Sequence, residues 1–260
     1  MLFLYLIIFI LGLVVGSFLN CLIYRIKKDE NFIFPHSYCS NCKHKLFWQD
    51  LIPIFNFIIL KGKCRYCQKP ISWQYPLVEL ATGILFIIVT HYSLLVTGYF
   101  FYSLLVTGYQ LLVTCFLIII FVYDLKHYII PNQIIYPAIG VAFIYNLIFN
   151  YPLFTQYLLV AILVAGFFFL IVFISRGKWL GLGDVKLAFF MGLFLGFPNI
   201  LVALFFAFLI GAIIGIGLIS FTKKTLKSEI PFGPFLVTGT LLALFFGEKL
   251  INWYLNFLKY

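Results

Sequence analysis

The sequence predicts an all-α polytopic membrane protein, with about eight transmembrane helices and one small cytoplasmic zinc-binding loop domain. Three observations predict it. Hydrophobic residues make up 64% of the 260 and charged residues only 10%, whereas a soluble domain is about half apolar and a quarter charged. Apolar runs long enough to cross a bilayer recur along the whole chain. Basic residues gather in alternate connections between those runs, the pattern of cytoplasmic loops. The net charge of +10 is read accordingly, as loops facing the cytoplasm and a lipid bilayer as partner, with no nucleic acid expected.

The runs fall near 1–24, 76–97, 102–123, 132–150, 155–175, 187–198, 199–221 and 234–254. The first lacks a basic n-region, its apolar stretch is too long for a signal-peptide core, and its charges follow it in "YRIKK". It is read as an uncleaved span with its N-terminus outside. Cys21 in "SFLNC" resembles a lipoprotein cysteine, but Asn20 is a poor residue before a cleavage site. Eight spans starting outside leave 25–75, 124–131, 176–186 and 222–233 in the cytoplasm. These loops hold nine, one, three and three of the 18 Lys and Arg residues, with Lys249 and Lys259 as the exceptions. The sixth run is short and is expected to tilt or to stop partway. "YSLLVTGY" occurs at 92–99 and again at 102–109, a local duplication across an external turn with no function assigned. The expected organisation is a first span (1–24), a cytoplasmic loop (25–75) and a multi-span membrane domain (76–260).

The 25–75 loop carries "CSNC" at 39–42 and "CRYC" at 64–67. Two C-x2-C pairs present four thiolates in tight turns, which suits a tetrahedral zinc ion held by Cys39, Cys42, Cys64 and Cys67. Two disulfides would need an oxidising compartment, and nine basic residues place the loop in the reducing cytosol. A four-Cys site is closed, so its role is structural. His36 and His44 are read as surface residues. Cys21 and Cys115 lie in spans and are read as apolar filler.

Only eight acidic residues are present. Asp29, Glu30 and Asp50 belong to the solvated loop, and Glu248 lies near the outer end of the last span. Glu79, Asp124, Asp184 and Glu229 fall near the inner face. Asp124 closes its span, where the helix dipole disfavours an anion. Asp184, in "GLGDVK" at 181–186, has a bland reading as the N-cap of the next helix. Two aspartates at one depth on different spans nevertheless signal a functional site. Brought together they share a proton, so that one activates water and the other protonates a carbonyl, as in aspartic proteases. Gly181 and Gly183 would let a substrate strand approach the backbone. Lys186 is read as an inner-face anchor.

At these residues the chain resembles the bacterial prepilin peptidases, intramembrane aspartic proteases with a G-x-G-D motif. "GLGDVK" is similar to that motif, "GSFLNCLIYR" at 16–25 to the end of the family's first span, and "ISWQYPLVELATG" at 71–83 to its entry into the second. "IPFGPFL" at 230–236 is similar to its last loop, and the paired C-x2-C sits where many members carry it. Two departures stand out: Ile-Pro-Asn at 130–132 where Leu-Pro-Asp is common, and Gln74 where Arg is common.

The resemblance implies Asp124 and Asp184 as the catalytic pair. It implies prepilins or pseudopilins as substrates, cut after a glycine at the cytoplasmic face of the bacterial inner membrane, as in type IV pilus, competence or secretion systems. It also implies methylation of the new N-terminus with S-adenosylmethionine. No glycine-rich nucleotide fingerprint is visible, and Glu79 with the 25–75 loop are the candidates for that second site. The plainer reading of Glu79 is an interfacial carboxylate paired with a loop lysine. Three alternatives stand beside this one. A presenilin-like or preflagellin-type protease would share the aspartates but not the four-Cys loop. A proton-coupled transporter would more often place its acids at the midplane of repeated halves. A zinc-binding membrane scaffold leaves the two aspartates unexplained.

Overall fold

The computed structural model describes residues 2–28, 30, 37–96, 100–221 and 230–257. Asp29, His36 and Glu229 lie outside them. The described chain is helical: α1 (Leu2–Lys28), α2 (Phe55–Ile59), α3 (Gln74–Val96), α4 (Phe100–His127), α5 (Asn132–Phe149), α6 (Phe154–Ser175), α7 (Leu182–Leu195), α8 (Asn199–Phe221) and α9 (Gly233–Phe257). No strand occurs among the described residues; two isolated antiparallel bridges lie in the loop between α1 and α3. All of these helices except α2 and α7 are long and apolar enough to cross a membrane. The protein is thus a multi-pass membrane protein.

The short sixth run is α7, whose 14 residues rise only about 21 Å, less than the roughly 30 Å of a hydrocarbon core. It begins at Leu182 rather than after residue 186, so Asp184 lies inside its first turn and not in the preceding loop. Sequence supplies the reason: Gly181 at the N-cap and Asp184 at the third helical position start a helix well.

The chain divides into two compact units, 1–119 and 120–260. In the first, α1 lies along α3 at very close range. A Cβ on Gly12 would stand 2.7 Å from the Cα of Gly83, and one on Gly16 would stand 2.7 Å from the Cα of Glu79. Gly12 and Gly16 form the small-xxx-small spacing that lets membrane helices touch through their backbones. Beyond it, Asn20 donates to the Tyr75 carbonyl and accepts from Gln74 Nε2, both at 3.1 Å. The unusual Gln74 therefore ties the start of α3 to α1. Residues 92–96 of the first octapeptide copy end α3, residues 97–99 lie outside the described ones, and the second copy lies inside α4. The hydroxyls of Ser93 in α3 and Thr107 in α4 meet at 2.6 Å.

In the second unit α7 is the innermost helix, packed against α5, α6 and α9, while α8 pairs with α9. Leu187, Ala188, Phe190 and Met191 of α7 are fully buried. Small residues again set the spacing: a Cβ on Gly192 would collide with the Ala161 backbone, and one on Gly239 with the Ala203 carbonyl. Helices α6 and α8 are apolar all round and expose Leu163, Phe173, Phe205 and Ile213, as helices facing lipid do.

Candidate active site

Asp124 is placed by the end of α4. Its backbone carbonyl accepts the Tyr128 N–H at 2.8 Å; Tyr128 takes a left-handed conformation (φ 57°) and stops the helix. The side chain turns inward and the residue is only 4% exposed. Its Oδ2 accepts the backbone N–H of Gly233 at 3.1 Å. Gly233 opens α9, so the positive end of that helix dipole meets a carboxylate that the end of α4 disfavours. A Cβ at 233 would stand 2.5 Å from Asp124 Oδ2; glycine is required there by close approach.

Asp184 sits in the first turn of α7 and is 9% exposed. Its Oδ2 accepts the Gly181 N–H at 3.0 Å; the N-cap is Gly181 and not Asp184, which makes the reciprocal capping contact from the third helical position. The capping role does not exclude a second one, because Asp124 is close enough for its charge to act on Asp184. The two aspartates, 60 positions apart in the chain, converge in one unit, and each holds one glycine N–H.

Gly183 has a packing role within the fold: a Cβ there would press to 3.1 Å on the Cβ of Ile130. Lys186 Nζ donates to Asn132 Oδ1 at 2.7 Å and lies 4.9 Å from the centre of the Tyr136 ring. It fastens the start of α7 to the start of α5. Asn132 is one of the departures noted in the sequence, and it makes this contact a hydrogen bond to an amide instead of an ion pair. Gly233 went unassigned in sequence reasoning, since its contribution is a backbone N–H; only its place in "IPFGPFL" drew attention to it.

The four loop cysteines form one cluster, with all Sγ atoms within 4.8 Å of one another and Cys39 and Cys67 at 4.0 Å. Tetrahedral zinc at the usual Zn–S distance needs sulfurs about 3.8 Å apart, so a slight contraction completes the site. The two knuckles repeat each other: Cys39 N–H donates to His44 and Lys43 N–H to Cys39, as Cys64 N–H does to Lys69 and Gln68 N–H to Cys64. Lys43 and Gln68 are both left-handed, at φ 61° and 59°. Burial opposes the Cys39 thiolate, but the backbone at Cys42 and Asn41 brings it down to about 7. At Cys67 the backbone at Lys69 favours the thiolate, yet burial and the three neighbouring thiols push it up to about 11. A divalent ion bound here would favour the thiolate form of all four cysteines. Cys21 and Cys115 lie in α1 and α4, outside the cluster, and His44 is exposed and stacks on Tyr66 at 3.7 Å.

Two loop-side acids differ from expectation. Asp50 is not freely solvated: its carboxylate meets Arg65 Nε at 3.0 Å and the Tyr66 hydroxyl at 2.9 Å, bracing the second knuckle. Glu79 is not paired with a lysine among the described residues. Its Oε2 accepts the Ile54 N–H at 2.8 Å, and Ser17 also bonds to the carboxylate.

Fold and site together define a polytopic membrane protein with a buried aspartate pair and a four-thiol loop. The family model described as the bacterial peptidase A24 N-terminal domain matches residues 10–93, and that of the type IV leader peptidase family matches residues 111–216. A prepilin leader peptidase/N-methyltransferase of Bacillus subtilis is 34% identical, covering 96% of this chain and 97% of the relative. Its namesake in Aeromonas salmonicida is 30% identical over 96% and 93%, and that of Legionella pneumophila 29% identical over 98% and 96%. No solved structure gives a significant match. This chain belongs to the type IV leader peptidase family and is an enzyme, a peptidase by that membership. Asp124 and Asp184 both fall within the second matched stretch; Gly233 lies beyond it.

Proposed function

We propose that this enzyme cuts the basic leader from type IV prepilins or pseudopilins at the cytoplasmic membrane face, with Asp124 and Asp184 as its catalytic pair. The placement of these two buried aspartates in one compact unit, each answered by a glycine N–H, is the observation that carries the reading. In the pair's singly protonated state, the ionised carboxylate takes a proton from water as the water oxygen attacks the scissile carbonyl. The protonated carboxyl gives its proton to the carbonyl oxygen. Collapse of the tetrahedral adduct breaks the C–N bond; the leaving amine takes the proton first removed from water, and a hydroxyl of the adduct returns a proton to the other carboxylate, leaving the acid product and the singly protonated pair. Gly233 and Gly181 hold the two carboxylates in place through their N–H groups.

The distribution of basic residues supports an N-terminus outside and the pair on the cytoplasmic side, where a basic leader stays. A first span (1–24), a zinc-binding loop (25–75) and a membrane protease domain (76–260) remain the functional division. Cys39, Cys42, Cys64 and Cys67 would hold zinc, which ties the two knuckles together and takes no part in hydrolysis. The relatives' printed names support N-methylation of the new terminus as a second activity, with S-adenosylmethionine as methyl donor. Incubating purified enzyme in detergent with a prepilin carrying its leader tests the reading; a well-folded enzyme that leaves every prepilin and pseudopilin of its own cell uncut would overturn it.

A further inference from the structure

The segment between the two knuckles reads "FWQDLIPIFNFIIL" at 47–60, far more apolar than a connection bathed in water. Its helix α2 is turned the wrong way for a soluble loop. Asn56 is buried and donates to the Gln49 carbonyl, and Phe57 packs on Trp73 with ring centres 4.9 Å apart. The outward face holds Phe55, Ile58 and Ile59, which are 63%, 66% and 69% exposed.

What precedes α2 fixes its height. Ile54 has φ 60° and ψ −51°, a strained conformation for a β-branched residue. The Phe55 N–H closes a γ-turn around it onto the Pro53 carbonyl. This turn aims the Ile54 N–H at Glu79 Oε2, 2.8 Å away. Glu79 lies five residues into α3, about 7 Å along the axis from Gln74, and its side chain leans back toward the helix start. The turn therefore rests against the first turns of a helix long and apolar enough to span the membrane, at the level where hydrocarbon gives way to headgroups. Trp48 and Trp73, both largely exposed, and Lys61 and Lys63 flank the patch. Aromatic and basic residues of this kind border membrane-surface elements.

We propose that residues 48–59 form a membrane-interface element, pinned to α3 by the Ile54–Glu79 hydrogen bond and resting Phe55, Ile58 and Ile59 in the acyl–headgroup boundary. The zinc knuckles on either side are thereby held at the bilayer surface. The inference does not rest on the aspartate pair. It also accounts for a carboxylate at this depth with no cationic partner among the described residues: Glu79 accepts one backbone N–H.

The test uses the full chain in phosphatidylcholine vesicles, with Trp48, Trp73, Trp179 and Trp253 replaced by Phe and a single reporter, Ile58→Trp. Ile59→Trp serves as a second reporter, and zinc content checks that each variant folds. Lipid brominated near the headgroup end of its chains should quench the reporter by about half or more, and aqueous iodide should quench it little. Adding Glu79→Ala should reverse that order, whereas Glu79→Gln, which keeps an acceptor oxygen, should not. Quenching by iodide and not by brominated lipid would overturn the proposal. So would a reporter shielded from both, which would place the face against protein, whether a substrate or a second copy. Unchanged lipid quenching in Glu79→Ala would overturn the pinning role.

Discussion

Each proposed catalytic carboxylate is held by one glycine N–H, and the two glycines differ in kind. Gly181 is a local partner three residues from Asp184 and serves as its helix cap; Gly233 reaches Asp124 across 109 positions. Asp124→Asn and Asp184→Asn should each lower leader cleavage about a thousandfold or more, and the double variant should be little worse, since residues acting as a unit are non-additive. Asn keeps the size and much of the capping ability, so expression and helix content should survive. A folded Asp184→Asn enzyme with near-normal cleavage would reduce Asp184 to a helix cap. Gly233→Ala forces a methyl to within 2.5 Å of Asp124 Oδ2 and should cost about a hundredfold in kcat, as a misplaced catalytic group does. Glu248→Gln, on the exposed side of α9, should leave cleavage unchanged.

At the scale of the element, the loop and the start of α7 carry separate expectations. Purified protein should contain about one zinc per chain, and Cys39→Ser or Cys64→Ser should lose it. Zinc binds thiolates and so releases protons; lowering the pH restores the competing protons and weakens retention. A chelator should therefore strip the metal faster near about pH 5 than near about pH 8, as read by metal analysis. Zinc-free protein that is folded and fully active would refute a required structural site. The Lys186–Asn132 hydrogen bond joins α7 to α5. Asn132→Asp would convert it to an ion pair and put an anion at the start of α5. It should raise stability by about 0.5–1 kcal/mol, seen as a higher unfolding temperature in detergent. An unchanged midpoint would leave Lys186 as a membrane anchor only.

For the whole molecule, the basic loops predict which ends of the helices meet the cytoplasm. A cysteine introduced at Lys178, between α6 and α7, should resist a membrane-impermeant thiol reagent in intact cells and react after the membrane is opened. Labelling from outside would invert the topology and remove Asp184 from the side on which a basic leader remains. Among the described residues seven helices have spanning length, and α7 is not one of them. The proposed pair thus depends on a helix that is held by its neighbours, with Gly192 seated on Ala161. Filling that contact with Gly192→Leu should lower the yield of folded enzyme more than Gly166→Leu, where a side chain meets nothing.

The sequence by itself determined the membrane class, the four metal-ligand candidates and the two aspartates. Composition, a repeated C-x2-C spacing and scarce acids among apolar runs are local properties that need no tertiary knowledge. It left Gly12 and Gly16 unread, although their spacing was there to see, because a close helix contact has meaning only once the partner helix is known. Tertiary structure alone decided that Asp124 is answered by the N–H of Gly233. It likewise decided that Asp50 braces Arg65 and that Glu79 binds Ile54 rather than a lysine. The physical reason is common to all of these. A backbone N–H carries no side-chain signature, and every residue but proline has one. Which of them meets a buried carboxylate is settled by how the helices pack.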